Sequence, residues 1–155
     1  MQIQIPIQVK ELLNKPLFNL DGVIDDVLLN KYLFYMPETI QIIGLGIAEL
    51  KREKREKELT KWAIEKKMEE VEAKILLEIM DEIDAQKYRN EQMRNARVRI
   101  DDRYKEVLLK QKEVMGAINT IDSDIDELME EVYRYRNLNQ NLNSISQLRI
   151  SERRY

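Results

Sequence analysis

The stretch KYRNEQMRNARVRIDDRY, residues 87 to 104, holds the side chains whose chemistry stands out in this sequence. Six of its eighteen positions are Lys or Arg, whereas the whole chain has a formal net charge of −3. Guanidinium and ammonium groups bind phosphate oxygens, and an aromatic ring can stack on an exposed base. The stretch therefore predicts either a site for single-stranded nucleic acid or a solvated polar connection between two helices.

Within this stretch a short helix is expected over residues 91 to 98. Asn90 is a typical N-cap for such a helix, and Asp101 or Asp102 is expected to cap a longer helix that follows.

The short helix is predicted to have two unlike faces. Arg94 and Arg97 share one face because they are three residues apart, and the opposite face is apolar, with Met93, Ala96 and Ile100. The alternative is that the Arg stems pack on the ends of the neighbouring helices. The candidate contacts to phosphates and bases are Lys87, Tyr88, Arg89, Arg94, Arg97, Arg99 and Arg103.

A second basic segment, KREKREK, occupies residues 51 to 57. It is either a secondary phosphate-binding patch or a solvated helix surface, and we expect the solvated surface. Trp62, which follows on the same helix, is expected to pack against other side chains rather than to stack on a base. The basic side chains of the segment are Lys51, Arg52, Lys54, Arg55 and Lys57.

The chain contains no cysteine and no histidine. Disulfides and thiolate metal sites are thereby excluded, and the commonest general base and zinc ligand is missing. The acidic run DSDID at 122–126 lacks the glycine and the twelfth-position Glu of a calcium-binding loop. We therefore expect a protein that is not an enzyme and that uses no metal and no cofactor.

The most regular pattern lies in the C-terminal half. Residues at alternating steps of four and three, from Ile100 to Leu142, are nearly all apolar, which is typical of a coiled-coil seam. Gln111 and Asn139 are the polar positions in this series and could set its register. The predicted seam, within the chain or between subunits, contains Ile100, Tyr104, Val107, Val114, Ile118, Ile121, Ile125, Leu128 and Val132.

The N-terminal half predicts one strand and two helices. Residues 2 to 9, QIQIPIQV, alternate as an edge strand does, with a disordered terminus as the alternative. A short helix over residues 23 to 36 should stop at Pro37. A long helix should then run from residue 38 to about 85, and its second half carries an apolar stripe.

Opposite charges favour pairing of the two long helices with each other. Residues 51–67 hold eight basic and four acidic side chains, whereas residues 121–131 hold six acidic and no basic ones. These blocks lie side by side if the chain folds back near residue 92. The prediction is an all-α protein, a long antiparallel helical hairpin over residues 23–155 with a short N-terminal helix, preceded by an arm and linker over residues 1–22.

No segment reaches the ~20 apolar residues that a membrane-spanning helix needs. The start, MQIQIPIQVK, lacks the positive region and the continuous apolar core of a secretory signal. We therefore expect a soluble protein of the cytoplasm without a membrane partner.

Four segments carry a resemblance to a known group of proteins: NKYLFYM at 30–36, AKILLEIMDE at 73–82, KYRNEQMRNARVRIDDRYKE at 87–106 and LRI at 148–150. In their order and spacing, over residues 23 to 150, they resemble small helical recombination and replication proteins of tailed bacteriophages. These proteins are loosely similar to the UvsY-type recombination mediator. Residues 1 to 10 are not part of the resemblance.

The resemblance implies a homo-oligomer that binds single-stranded DNA, helps to load a recombinase and displaces a single-strand-binding protein. It points to Lys87, Arg89, Arg94, Arg97 and Arg99 as DNA contacts. RNA is the alternative ligand, and the host cytoplasm is the location if a phage encodes the protein. The rival hypothesis is a phage structural or assembly protein, or another protein-interaction module, that uses a coiled-coil seam and binds no nucleic acid.

Overall fold

The computed structural model describes residues 25–81 and 90–152, and within these ranges the chain forms three α-helices and no strand. The predicted all-α fold, with two long helices packed against each other, is confirmed. The helices are α1 (Asp26–Asp81), α2 (Glu91–Ile100) and α3 (Asp102–Glu152).

Two parts of the sequence prediction, the edge strand over residues 2–9 and the arm and linker over residues 1–22, lie outside the described residues. Among the three helices, none has an apolar stretch that would be long enough to cross a bilayer.

Helix α1 begins at an aspartate cap and continues through a proline. The Asp25 carboxylate accepts hydrogen bonds from the backbone N–H groups of Val27 and Leu28, at 2.9 and 3.1 Å. These donors would otherwise have no partner in the first turn. The predicted stop at Pro37, with a separate short helix before it, is wrong, because Pro37 lies inside α1.

The helix continues through Pro37 because the side of α1 away from the proline ring is well buried. A proline inside a helix costs about 3 kcal/mol, since it removes one backbone hydrogen bond and crowds the preceding turn. Pro37 is exposed, whereas Met36, Thr39 and Ile43 are fully buried. Each large apolar side chain contributes roughly 1.5–3 kcal/mol on leaving water, so burial outweighs the lost bond.

The inward stripe of α1 extends well beyond the half in which the sequence predicted it. Ile75 and Ile79 are buried as expected, and Ile64, Met68 and Val71 are half-buried. The first half of α1 continues the same spacing of three and four residues. Its buried positions are Leu28, Leu29, Tyr32, Met36, Thr39, Ile43, Ile47 and Leu50.

The seam predicted for α3 is turned inward within this single chain, with one exception. Ile100 closes α2 and is 61% exposed, so its assignment to the hairpin seam is wrong. The half-buried members are Tyr104, Val114, Ile118 and Leu128. The buried ones, with two that continue the series, are Val107, Ile121, Ile125, Val132, Tyr135 and Leu142.

The two polar positions of the α3 seam are accommodated differently. The Gln111 side chain donates a hydrogen bond from Nε2 to Oε1 of Glu65 on α1, at 3.3 Å. The Asn139 side-chain oxygen is buried and has no hydrogen-bond partner among the described residues. Gln111 therefore adds a specific contact between the long helices, which is the register-setting role expected of a polar seam residue.

Contacts divide the chain into two compact units. One, here called the terminal unit, consists of Met1–Lys51 and Ser123–Tyr155. The other, the central unit, consists of Arg52–Asp122. Helices α1 and α3 contribute to both units, whereas α2 lies wholly in the central unit.

Polar contacts show that α1 and α3 are antiparallel in the central unit. Lys54 pairs with Asp122 at 2.7 Å, Glu65 with Gln111, and Glu78 with Arg103. As the residue number rises along α1, the residue number of the contacting partner on α3 falls, as it does for antiparallel helices. The Lys54–Asp122 pair joins one residue of the basic block to one residue of the acidic block, whereas Glu65 of the basic block contacts Gln111, which lies outside the acidic block. In the terminal unit, Arg149 near the end of α3 pairs with Asp26 at the start of α1.

Replacement of Pro37 by alanine should stabilise the protein. Pro37→Ala restores the helical hydrogen bond in an exposed position, so we expect the free energy of unfolding to rise by about 1–3 kcal/mol, as measured by urea denaturation. Glu38→Ala, at the exposed neighbouring position, should change it by less than about 0.5 kcal/mol. Unchanged or reduced stability in Pro37→Ala would mean that the helix does break at this proline.

A pair of substitutions two residues apart tests the inward side of α1. Ile43 is 0% exposed and Leu45 is 62% exposed. Ile43→Ala should therefore cost about 2–5 kcal/mol because it leaves a cavity, whereas Leu45→Ala should cost no more than about 0.5 kcal/mol. Urea denaturation followed by circular dichroism measures both. Similar costs for the two variants would contradict this orientation of α1.

Candidate nucleic-acid interface

Helix α2 is delimited by the two caps that the sequence predicted. The Asn90 side-chain oxygen accepts a hydrogen bond from the backbone N–H of Gln92 at 2.9 Å. Asp101 adopts an extended backbone conformation after Ile100, and its carboxylate accepts a hydrogen bond from the backbone N–H of Arg103 at 3.0 Å. Asp101 thus ends α2 and starts α3, and a single residue separates the two helices.

A small apolar cluster fixes α2 against the last turns of α1. Val98 is buried together with Ile75 and Ile79 of α1. The partly buried residues packed against this cluster are Val71, Leu76 and Tyr104. Val98 therefore determines which side of α2 faces the protein.

The orientation of α2 reverses the one implied by its predicted apolar face. Arg94 and Arg97 lie on the side of Val98 and are half-buried, whereas Met93 and Ile100 on the opposite side are exposed. A β-branched Val98 fills the space beside two isoleucines, and the flexible Arg stems can cover apolar surface while their charges stay in water. The exposed surface of α2 is therefore apolar and cationic together.

Arg103, predicted to contact nucleic acid, is instead engaged by two carboxylates. Its guanidinium donates to both oxygens of Glu78 at 2.8 and 2.6 Å, and to both oxygens of Asp101 at 3.1 Å. These hydrogen bonds lower the pKa of Glu78 and of Asp101 and raise the pKa of Arg103. Arg103 thus ties the end of α1 to the junction of α2 and α3.

The remaining cations of the predicted site differ in whether a carboxylate lies close to them. Arg97 lies 3.9 Å from the Asp101 carboxylate. Arg94 and Arg99 form no ion pair with another described residue, and Arg99 is exposed. Three further members of the predicted site lie outside the described residues, namely Lys87, Tyr88 and Arg89.

The secondary basic patch is partly neutralised, as expected for a solvated helix surface. Lys54 pairs with Asp122 and lies 3.9 Å from Glu58, and Arg52 lies 3.6 Å from Glu56. Three members form no ion pair with another described residue, and these are Lys51, Arg55 and Lys57.

A cationic groove between α1 and α3 was not predicted from the sequence. Lys67, Lys74 and Arg103 line it with Glu106, Val71 and Val107, around a volume of about 300 Å³. Lys110 donates a hydrogen bond to Glu106 at 2.6 Å, which lowers the pKa of that carboxyl. The sequence did hold a pattern that could have revealed this groove. Lys67 and Lys74 lie on either side of Val71 in the apolar stripe of α1, and their spacing of seven residues puts them on one side of the helix.

Trp62 does not pack as predicted. It is 60% exposed, and the Lys66 ammonium lies 5.6 Å from the centre of its ring. The sequence favoured packing because most helical tryptophans belong to a core, but Trp62 lies away from the inward stripe of α1.

No group of three or more potential metal ligands comes together within residues 25–81 and 90–152. No protein-family model matches the chain, and neither a curated protein nor a solved structure matches it.

The Arg103 ion pairs predict a pH-dependent effect on stability. Because the pKa of Glu78 is lowered in the folded protein, its contribution is present above the ordinary carboxyl pKa of about 4.3 and is lost as the pH falls through the lowered value. Glu78→Gln should therefore lower the Tm at pH 7, and the difference from the unmodified protein should vanish in acid. Thermal unfolding across this pH range measures it.

Glu70→Gln is the matched control, because Glu70 is exposed on the same helix and forms no ion pair with another described residue. Its Tm should follow that of the unmodified protein at every pH. A Tm difference for Glu78→Gln that does not shrink at all as the pH is lowered would show that Arg103 does not act through the Glu78 charge.

Proposed function

We propose that the protein is a non-enzymatic accessory protein that binds single-stranded nucleic acid through α2 and the basic residues before it. The observation that carries the proposal is the exposed surface of α2. Arg99 is exposed there and forms no ion pair with another described residue, and Met93 and Ile100 are exposed on the same helix. Arg94, half-buried on the side of Val98, also forms no ion pair with another described residue. This combination of free cations and apolar side chains suits a ligand that offers phosphates and bases together.

A single strand offers both, whereas a duplex shields the faces of its bases. Proteins that bind single strands without sequence preference combine cations along the backbone with aromatic side chains on which the bases stack. Duplex recognition relies mainly on phosphate contacts and on groove edges. The exposed Met93 and Ile100 would have no role in purely phosphate-directed binding, so the composition of α2 favours a single strand.

Binding by one subunit is expected to be modest and sensitive to salt. The chain as a whole is negatively charged, and Arg103 is already paired with carboxylates. Few phosphate contacts remain for each subunit, and each contributes about −0.7 to the slope of log affinity against log salt for a single strand. Several subunits on one strand would multiply such weak contacts through their effective concentration.

The resemblance to phage recombination proteins extends the proposal. It favours a homo-oligomer on single-stranded DNA that helps to load a recombinase and displaces a single-strand-binding protein, in the cytoplasm of a host cell. RNA is the alternative ligand. The DNA form of the proposal rests on this resemblance, and the single-strand form rests on α2.

Fluorescence anisotropy of a labelled single strand tests the proposal. A strand of about 30 nucleotides is longer than typical site sizes. The same sequence as a duplex and as RNA serve as comparisons, at low and near-physiological salt. We expect binding that prefers the single strand and weakens steeply with salt. An absence of binding even at low salt would overturn the proposal.

Charge reversal on α2 should weaken this binding. Arg94→Glu combined with Arg99→Glu should lower the affinity at least tenfold and reduce the magnitude of the salt slope by about 1.4, because two phosphate contacts are lost. The matched control is Arg134→Glu with Arg136→Glu, two exposed positions on α3 in the terminal unit. The control should bind nearly as well, and circular dichroism should show unchanged helicity in both. Equal losses would mean that only net charge matters.

The rival function, a protein-interaction or phage-assembly module, is favoured by one observation. Leu77 and Met80 are exposed, three residues apart on one face of α1 near its end, and contiguous exposed apolar surface marks protein-interaction sites when it is large enough. The binding experiment separates the two functions, since this module predicts no salt-dependent affinity for nucleic acid.

A further inference from the structure

Trp62 is the only tryptophan in the chain, and its exposure is unusual for such a large apolar side chain. Leu59, one turn before it, is also exposed. The outer side of α1 in the central unit therefore holds apolar surface that the described part of the chain leaves uncovered.

The side chains around Trp62 form a stripe with a definite order. Arg55, Leu59, Trp62 and Lys66 follow one another at steps of four, three and four residues, which places them on one face of a helix. All four are exposed. The stripe is about 16 Å long, and it has a cation at each end and two apolar side chains in the middle.

The two cations of this stripe are available for a ligand. Arg55 forms no ion pair with another described residue, and the contact found for Lys66 is the one with the Trp62 ring at 5.6 Å. Arg55, Leu59 and Trp62 line a shallow recess with Glu58, around a volume of about 440 Å³. Glu58 is the acidic member of this lining, and Lys54 lies 3.9 Å from its carboxylate.

We propose that this stripe, here called the Trp62 stripe, is a second contact for the single strand, with a base stacked on the indole and phosphates held by Arg55 and Lys66. The inference rests on the proposed function and adds a base-binding position to it. Every base has a face that can stack on an aromatic ring, so the contact is tolerant of sequence, as an accessory protein on any single strand requires.

The order of side chains favours a nucleic-acid strand over a protein helix as the occupant. A helix docked along α1 would need apolar contacts repeated over several turns, whereas here only Leu59 and Trp62 lie between charged positions. A single strand alternates a stackable base with phosphates on either side, and this matches a central ring between two cations.

The single tryptophan makes the proposal directly measurable. Titration of the protein with unlabelled single-stranded oligonucleotide should quench the Trp62 emission with the same midpoint as the anisotropy of a labelled strand. Trp62→Ala should weaken binding by about 5- to 150-fold, the range for loss of one stacked base, whereas Trp62→Phe should retain most of the affinity.

Leu109→Ala is the matched control, because Leu109 on α3 is exposed to the same 60% as Trp62. It should bind as the unmodified protein does. Arg55→Gln combined with Lys66→Gln should reduce the magnitude of the salt slope by about 1.4. Circular dichroism should show full helicity for all four variants, since every substituted side chain is exposed.

Failure of this inference is distinguishable from failure of the proposed function. If the unmodified protein binds the single strand, but Trp62 emission is unchanged and Trp62→Ala binds equally well, the Trp62 stripe is not a contact and α2 stands as the site. If the unmodified protein binds no single strand in the anisotropy measurement, the proposed function and this inference are both overturned.

Discussion

The architecture depends on one constraint: neither long helix can bury its apolar stripe alone. Residues at intervals of three and four along α1 and α3 are turned inward, and Ile43, Ile75 and Leu142 are almost completely removed from water. This stripe fixes the rotation of each helix about its axis. The rotation in turn decides which charged and aromatic residues face solvent. Ile64 and Met68 are turned inward, and Trp62 is exposed because it lies on the other side of α1.

Features that depend on local or periodic rules were predictable from the sequence. The α3 seam and the Asn90 and Asp101 caps belong to this class. The predicted break at Pro37 failed because a local rule about one residue was outweighed by burial on the other side of the helix. The orientation of α2 could not be predicted, since it depends on where Val98 inserts between two residues of α1.

The candidate site illustrates why a count of basic residues overstates the number of free cations. Arg103 is held by Glu78, which lies 25 residues earlier in the chain, and no local pattern reveals that pairing. The pair removes one cation from the predicted interface but holds α2 in place beside α1. Arg99 is therefore presented on a fixed helix, and a ligand that meets a preorganised surface loses less affinity to ordering.

Stability and charge compete for the same positions in the central part of α1. The inward spacing continues from Leu50 through Lys54, Lys57 and Lys61 to Ile64, and the three lysines are half-buried. Lysine stems can cover apolar surface while the ammonium groups reach water. Helix α1 therefore stays packed against α3 here, although each lysine buries less apolar surface than an isoleucine would. Apolar replacements here would strengthen the seam but remove cations from the central unit, where α2 and the Trp62 stripe also lie. Lys54 pairs with Asp122 at 2.7 Å and Lys61 lies 3.8 Å from Glu65, so lysine at these positions adds ion pairs where an apolar residue would add only burial.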